Sequence, residues 1–177
     1  MALDEVAEAL RRAVTVLERR PDIGLHDDAP ATARWERGMR IVASHANGAT
    51  VQTDMPGELG GTGDQVSPGW LFRAGLASCA ATCIAMRAAT AGFELTTLEV
   101  KASSRSDTRG VLGMKELSGE RVYAGPCDVQ LRVRIAAAGV SDAELHALVA
   151  EATQCSPVPT AVWNAVPMAL HVEVAES

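Results

Sequence analysis

The succession of hydrophobic periods along this chain predicts an α+β fold with antiparallel sheet. Three observations carry that reading. An alanine-rich run over residues 68–91 has helix signals at both ends, CDVQLRVRIA alternates with period two, and the elements follow in the order helix, two strands, long helix, two strands, helix pair, strand. With 177 residues and 47% apolar content, the chain suits a single domain with a real core.

The elements follow in order. Residues 2–20 place Val6, Ala9 or Leu10, Val14 and Leu17 at helical spacing with charges opposite, an amphipathic helix that Pro21 closes. Residues 1–30 therefore read as an N-terminal helix and linker, and 31–177 as the main domain. TARWERGMRIVASH reads as one strand, Asn47-Gly48 as its turn and ATVQTD as its hairpin partner. MPGELGGTGDQVSP is turn-rich and reads as a long flexible loop.

Ser67 before Pro68 is an N-cap followed by proline at the first helical position, and Gly92 is the stop. Between them runs a helix of about six turns. Leu71, Gly75, Cys79, Cys83 and Met86 share one face, and with Leu76 and Phe72 on the flank the helix is expected to be buried on most sides. TLEVKASSRS directs Leu98, Val100 and Ala102 inward, and a long connection, RGVLGMKELSGERVYAG, leads to CDVQLRVRIA. That strand sets Cys127, Val129, Leu131, Val133 and Ile135 against a wet face of Asp128, Gln130, Arg132 and Arg134. Ser141 and Glu144 form a capping box for a helix striped with Leu145, Leu148, Val149 and Ala152. Pro157 ends it, Ser156-Pro157 caps a short helix through Trp163, and MALHVEVA alternates as a last strand.

Composition excludes several functions. A net charge of −6, scattered basic residues and 3% aromatic content give neither the electrostatic footprint nor the stacking surface that nucleic acid needs. The acidic start MALDEVAEALRR lacks a signal-peptide pattern, and the apolar run 74–86 is too short and too rich in small residues to span a bilayer. These features point to a cytoplasmic protein that is not bound to membrane. There, Cys79, Cys83, Cys127 and Cys155 are not a disulfide framework, and each is either core filler or a reactive thiol.

Cys79 and Cys83 share a helix face, but no other ligand types lie near them in a metal-binding spacing, so no metal site is expected. A disulfide between consecutive turns is geometrically awkward. GELGGTG lacks the lysine and the context of a phosphate loop. Thiol chemistry remains, and a reactive thiol needs a cation or a helix N-terminus. Cys79 lies about three turns into its helix, too far from the end of the dipole. Alternation in the first strand places Arg37 on the apolar face of Trp35, Met39, Ile41 and Ala43, where it would need an anionic partner; a bulge at Gly38 would instead turn Arg37 out and Arg40 in. Cys155 precedes a helix N-terminus, a setting that favours an anion, or else continues the stripe after Ala152. Cys127, on the apolar face of the best strand, reads as core filler. His26, His45, His146 and His171 form no constellation.

Taken together, ELGGTG, SPGWLFRAGLASCAATCIAM, SDTRGVLGM and CSPV resemble the family of osmotically inducible protein C (OsmC) and organic hydroperoxide resistance proteins, over roughly residues 31–175. The resemblance implies an intertwined homodimer whose long central helices pack together under sheets from both chains, with active sites at the interface. It implies thiol peroxidase chemistry: a cysteine of the central helix attacks an organic hydroperoxide, a second cysteine in a Cys-Pro step forms a disulfide, and an external dithiol of lipoyl type reopens it, with no bound cofactor. An arginine held by a glutamate activates the first thiol.

Carried over residue by residue, the peroxidatic position falls on Cys79, and Cys83 falls where the family has threonine or an apolar residue. The Cys-Pro step reads Ser156-Pro157, with Cys155 as resolver one residue early, a shift that turns a side chain by about 100° near a helix start. The acidic site reads Gly69-Trp70, and Arg37 is the loosely matching activator. Trp70, Leu71 and Phe72 would receive an apolar peroxide tail. The alternative is a dimeric relative with little or no peroxidase activity that binds a small hydrophobic ligand in the same pocket.

Overall fold

The computed structural model describes residues 3–164 and 166–175. Helix α1 spans Leu3–Arg19. A three-stranded antiparallel sheet follows, β1 (Thr32–Arg37), β2 (Arg40–Ser44) and β3 (Thr50–Thr53), in that spatial order. The central helix α2 (Pro68–Ala91) leads to β4 (Leu95–Arg105), a short α3 (Thr108–Val111) and β5 (Cys127–Ala137), with β4 and β5 paired antiparallel. The chain then forms α4 (Asp142–Gln154) and α5 (Pro157–Trp163).

The α+β class is as read from the sequence, with four corrections. The segment 32–45 is two strands rather than one: Gly38 takes φ +51, a conformation few other residues accept, and the chain reverses so that Arg37 pairs with Arg40. The ladder slips between Trp35 and Arg37, which removes Arg37 from the inward face, and Arg37 is exposed. Cys127 is also exposed rather than core filler, because it sits at the outer end of β5 opposite Arg105. The tail 167–175 has no strand partner; Met168, Leu170, Val172 and Val174 are 75–91% exposed. An alternating apolar strand needs a neighbour for its backbone groups as well as its side chains, and the described residues of one chain supply none.

The fourth correction concerns α2. The run 74–86 is part of a 24-residue helix that is, by length and composition, apolar enough to cross a bilayer. The helix packs against α1, β4, α4 and α5, but contrary to the expected burial on most sides it is buried along one stripe only, and Ser78, Thr82, Ala85 and Met86 are exposed. Its fully buried stripe is Leu76, Ala80, Ile84 and Ala88, one position beyond the face read from the sequence, and Cys79 and Cys83 are half-buried at its edge. Ile84 and Ala88 join Leu148 and Ala152 of α4, with Leu98, Val100, Val133 and Ile135 of the sheet closing the cluster. The alternation along β5 and the capping box at Ser141 and Glu144 are present as expected.

The glycine-rich loop is built around a buried carboxylate. Asp54 accepts hydrogen bonds from Thr62 Oγ1 at 2.6 Å, Thr62 N at 3.1 Å and Met55 N at 2.8 Å. Arg40, the inward arginine of the hairpin, bonds Asp54 at 3.1 Å and also pairs with Asp64. A Cβ on Gly61 would stand 1.8 Å from the Met55 carbonyl oxygen, so the loop closes only with glycine there. Thr62 foremost holds the Asp54 carboxyl well below its ordinary 3.8, with Arg40 and the backbone donors adding to it against the cost of burial.

A depressed folded value means that Asp54 stabilises the fold fully above about pH 4 and that this contribution is lost as pH falls further. Asp54→Asn should therefore melt several degrees below wild type at pH 7, with a shallower loss of melting temperature between pH 4 and pH 2. Thermal melts across that range check this; parallel profiles would contradict it.

Candidate active site

Helix α2 begins where Ser67 Oγ accepts from Trp70 N at 3.2 Å, and it ends at Gly92, in left-handed conformation. Cys79, Cys83 and Arg87 follow one another at steps of four, so they form a row along one edge of the helix. The junction between α4 and α5 crosses this row. Cys155 caps α4, and Ser156 begins α5 while fully buried.

Ser156 makes no capping bond to α5; its Oγ donates to Cys79 Sγ at 3.2 Å. Cys155 turns the other way. Its Sγ accepts from Arg87 Nη2 at 3.4 Å, and Cys83 Sγ lies 3.9 Å from its carbonyl oxygen. Glu151, one turn earlier on α4, pairs with Arg87 Nη1 at 3.3 Å. The Cys155 hydrogen bond foremost, then the Glu151 charge, hold the Arg87 guanidinium more firmly cationic than an ordinary arginine. The row thus meets two different partners: a neutral hydroxyl at Cys79 and a cation at Cys155.

The remaining residues read from the sequence lie elsewhere in the single chain. Arg37 lines a cleft of about 210 Å³ with Arg40, Asp54, Gly61 and Thr62, which no cysteine lines. Trp70, Leu71 and Phe72 occupy the first turn of α2, about 10–13 Å along the helix axis from Cys79. Trp70 is 48% exposed, and Leu71 and Phe72 are half-buried. Among the described residues no three His, Cys, Asp or Glu side chains are placed to hold a metal ion.

Sequence reasoning placed Ser156 at the step where the family has its second cysteine but gave it no part beside Cys79, and it missed Arg87 and Glu151. The i, i+4, i+8 spacing of Cys79, Cys83 and Arg87 was a usable signal for Arg87. Nothing local marked Glu151, whose role depends on how α4 lies across α2.

Comparison with known proteins places the fold. The profile of the OsmC-like protein family matches residues 61–171. Among solved structures, an OsmC-like protein from Mycoplasma pneumoniae superposes with a TM-score of 0.65 at 15% identity, covering 80% of this chain and 91% of that one. An OsmC-like protein of unknown function from Vibrio cholerae superposes with a TM-score of 0.61 at 16% identity, covering 77% and 94%. An organic hydroperoxide resistance protein OsmC from Legionella pneumophila gives 0.56 at 22% identity, covering 78% and 90%. No curated protein sequence matches. At these identities the neighbours establish the fold, and the profile, which spans more than half of the chain, establishes the lineage: this chain belongs to the family of OsmC-like proteins.

Proposed function

We propose that this protein reduces organic hydroperoxides, with Cys79 as the nucleophile. The observation that carries this is the 3.2 Å contact between Cys79 and Ser156. A fully buried hydroxyl that donates to sulfur supports negative charge there, and the thiolate is the form that attacks a peroxide. The thiolate takes the distal oxygen of ROOH, the O–O bond breaks, and the alkoxide leaves as ROH with a proton from solvent, giving Cys79 sulfenic acid. A second thiol then condenses with it to a disulfide and releases water, and an external dithiol of lipoyl type returns both sulfurs to thiols. Likeness to the Legionella protein named for organic hydroperoxide resistance supports this reading of the substrate.

When Cys79 is oxidised first, Cys155 serves as its resolver by swinging about the α4–α5 junction away from Arg87. The exposed tail and the exposed stripe of Ser78, Thr82 and Met86 on α2 support a homodimer, in which the tail strand finds its neighbour in a second copy. Arg37, exposed at the β1–β2 hairpin, activates Cys79 from across that interface, and Trp70, Leu71 and Phe72 wall the apolar entrance.

A second reading rests on an apolar cleft of about 320 Å³ between β5 and α5, lined by Leu76, Val129, Leu131, Pro159 and Trp163 but by no cysteine. It fits a small hydrophobic ligand bound without turnover.

Three outcomes are expected. With cumene hydroperoxide and dihydrolipoamide, Cys79→Ser should lose at least tenfold in turnover, and dimedone should label Cys79 in wild type; unchanged turnover would remove Cys79 as the nucleophile, and no turnover in wild type would leave ligand binding as the function. Ser156→Cys, whose sulfur would take the place of the 3.2 Å hydroxyl, should form a disulfide between positions 79 and 156 on oxidation, seen by peptide mass mapping. Light scattering should give wild type twice the chain mass and Val172→Asp a lower one; a monomeric wild type would contradict the dimer.

A further inference from the structure

A second thiol cluster lies one turn beyond Cys79, under the N-terminal helix. An apolar cleft of about 280 Å³ opens between α1 and α2, walled by Leu10, Val14 and Leu17 on one side and Met86 on the other. Cys83, Arg87 and Cys155 form its floor. Arg87 Nη2 donates to Cys155 Sγ at 3.4 Å, Glu151 holds the same guanidinium from its other nitrogen at 3.3 Å, and Cys83 Sγ lies 3.9 Å from the Cys155 carbonyl oxygen. A nucleophile, a fixed cation, a second thiol and an apolar chamber are thus in one place, whereas Cys79 has a neutral hydroxyl. A guanidinium aimed at sulfur is the partner a thiolate needs, and a carboxylate on its far side keeps it aimed.

We propose that Cys155 is a second thiol nucleophile, held by Arg87 and resolved by Cys83, that receives an apolar organic hydroperoxide in the cleft beneath α1. The oxidant class rests on the preceding reading; the residues are independent of it. The Cys155 thiolate takes the distal peroxide oxygen, the O–O bond breaks, and the alkoxide leaves as ROH with a solvent proton. Cys83 then attacks the resulting sulfenic acid, forming the Cys83–Cys155 disulfide and releasing water. Two cysteines are oxidised and one peroxide is reduced. Arg87 is a positioning residue, and Glu151 positions Arg87.

The test adds one equivalent of cumene hydroperoxide to full-length wild type, Cys79→Ser, Cys83→Ser, Arg87→Gln and Arg87→Lys, each first checked for a native circular dichroism spectrum. Disulfides and dimedone adducts are then mapped by mass spectrometry. In Cys79→Ser the Cys83–Cys155 disulfide should form within twofold of the wild-type rate. In Cys83→Ser, dimedone should label Cys155. Arg87→Gln should slow oxidation of Cys155 at least tenfold, and Arg87→Lys should recover most of that loss. Unmodified Cys155 in Cys79→Ser, or a Cys79–Cys155 disulfide as the only product in wild type, would overturn the proposal while leaving Cys79 as nucleophile. If Cys79 is never oxidised and the Cys83–Cys155 disulfide still forms, the reading of Cys79 fails and this one stands.

Discussion

Close approach of the α4–α5 junction to the central helix is the constraint on which the site depends. The contact is made from side chains with almost no reach: Ala80 and Ala88 on α2, Ala152 on α4 and Ser156 at the start of α5 are all fully buried. Such residues let two backbones come together and leave the larger Ile84 and Leu148 to fill the space beside them. Because the crossing is tight, two adjacent residues of the junction face different points of the same helix edge. Ser156 meets Cys79, and Cys155 meets Arg87 one turn beyond Cys83. A longer side chain at Ala152 or Ser156 would have to push the junction away, and both contacts would go with it.

The same crossing sorts the cysteines by partner rather than by position in the chain. Cys79 and Cys83 are both half-buried and lie on one helix edge, yet one faces a hydroxyl and the other lies beside the Cys155 carbonyl. Cys127 and Cys155 are both exposed, and the Arg87 contact distinguishes them. Helix α1 adds an apolar roof over one end of the row. The Arg40–Asp54–Thr62 cluster does different work, tying the glycine-rich loop to β2 and β3 just before α2 begins.

Much of this architecture was legible in the residues. Ser67, Pro68 and Gly92 mark α2 because capping and termination are local chemistry, and the Ser141–Glu144 box and the alternation of β5 are equally local. Position-dependent readings failed where a single backbone conformation changed the pattern. The φ of Gly38 divided one expected strand into two, and of the two orientations left open by alternation it selected the one with Arg37 outward and Arg40 inward. The buried face of α2 was misplaced by one residue because alanine surrounds the helix and blurs its hydrophobic period. The tail alternates in sequence, but alternation alone does not make a strand where no neighbouring strand lies beside it among the described residues of the chain. Cys79 was singled out by resemblance, and its partner Ser156 became visible only when the helix crossing was known.

The central claim is that the partner facing each sulfur, rather than exposure, decides which cysteine reacts. Differential alkylation of wild type after one equivalent of cumene hydroperoxide, with every cysteine quantified by mass spectrometry, tests it most directly. The account predicts oxidation distributed over Cys79, Cys83 and Cys155, with the exposed Cys127 recovered as free thiol. Oxidation of Cys127 to the same extent as Cys79 would contradict it.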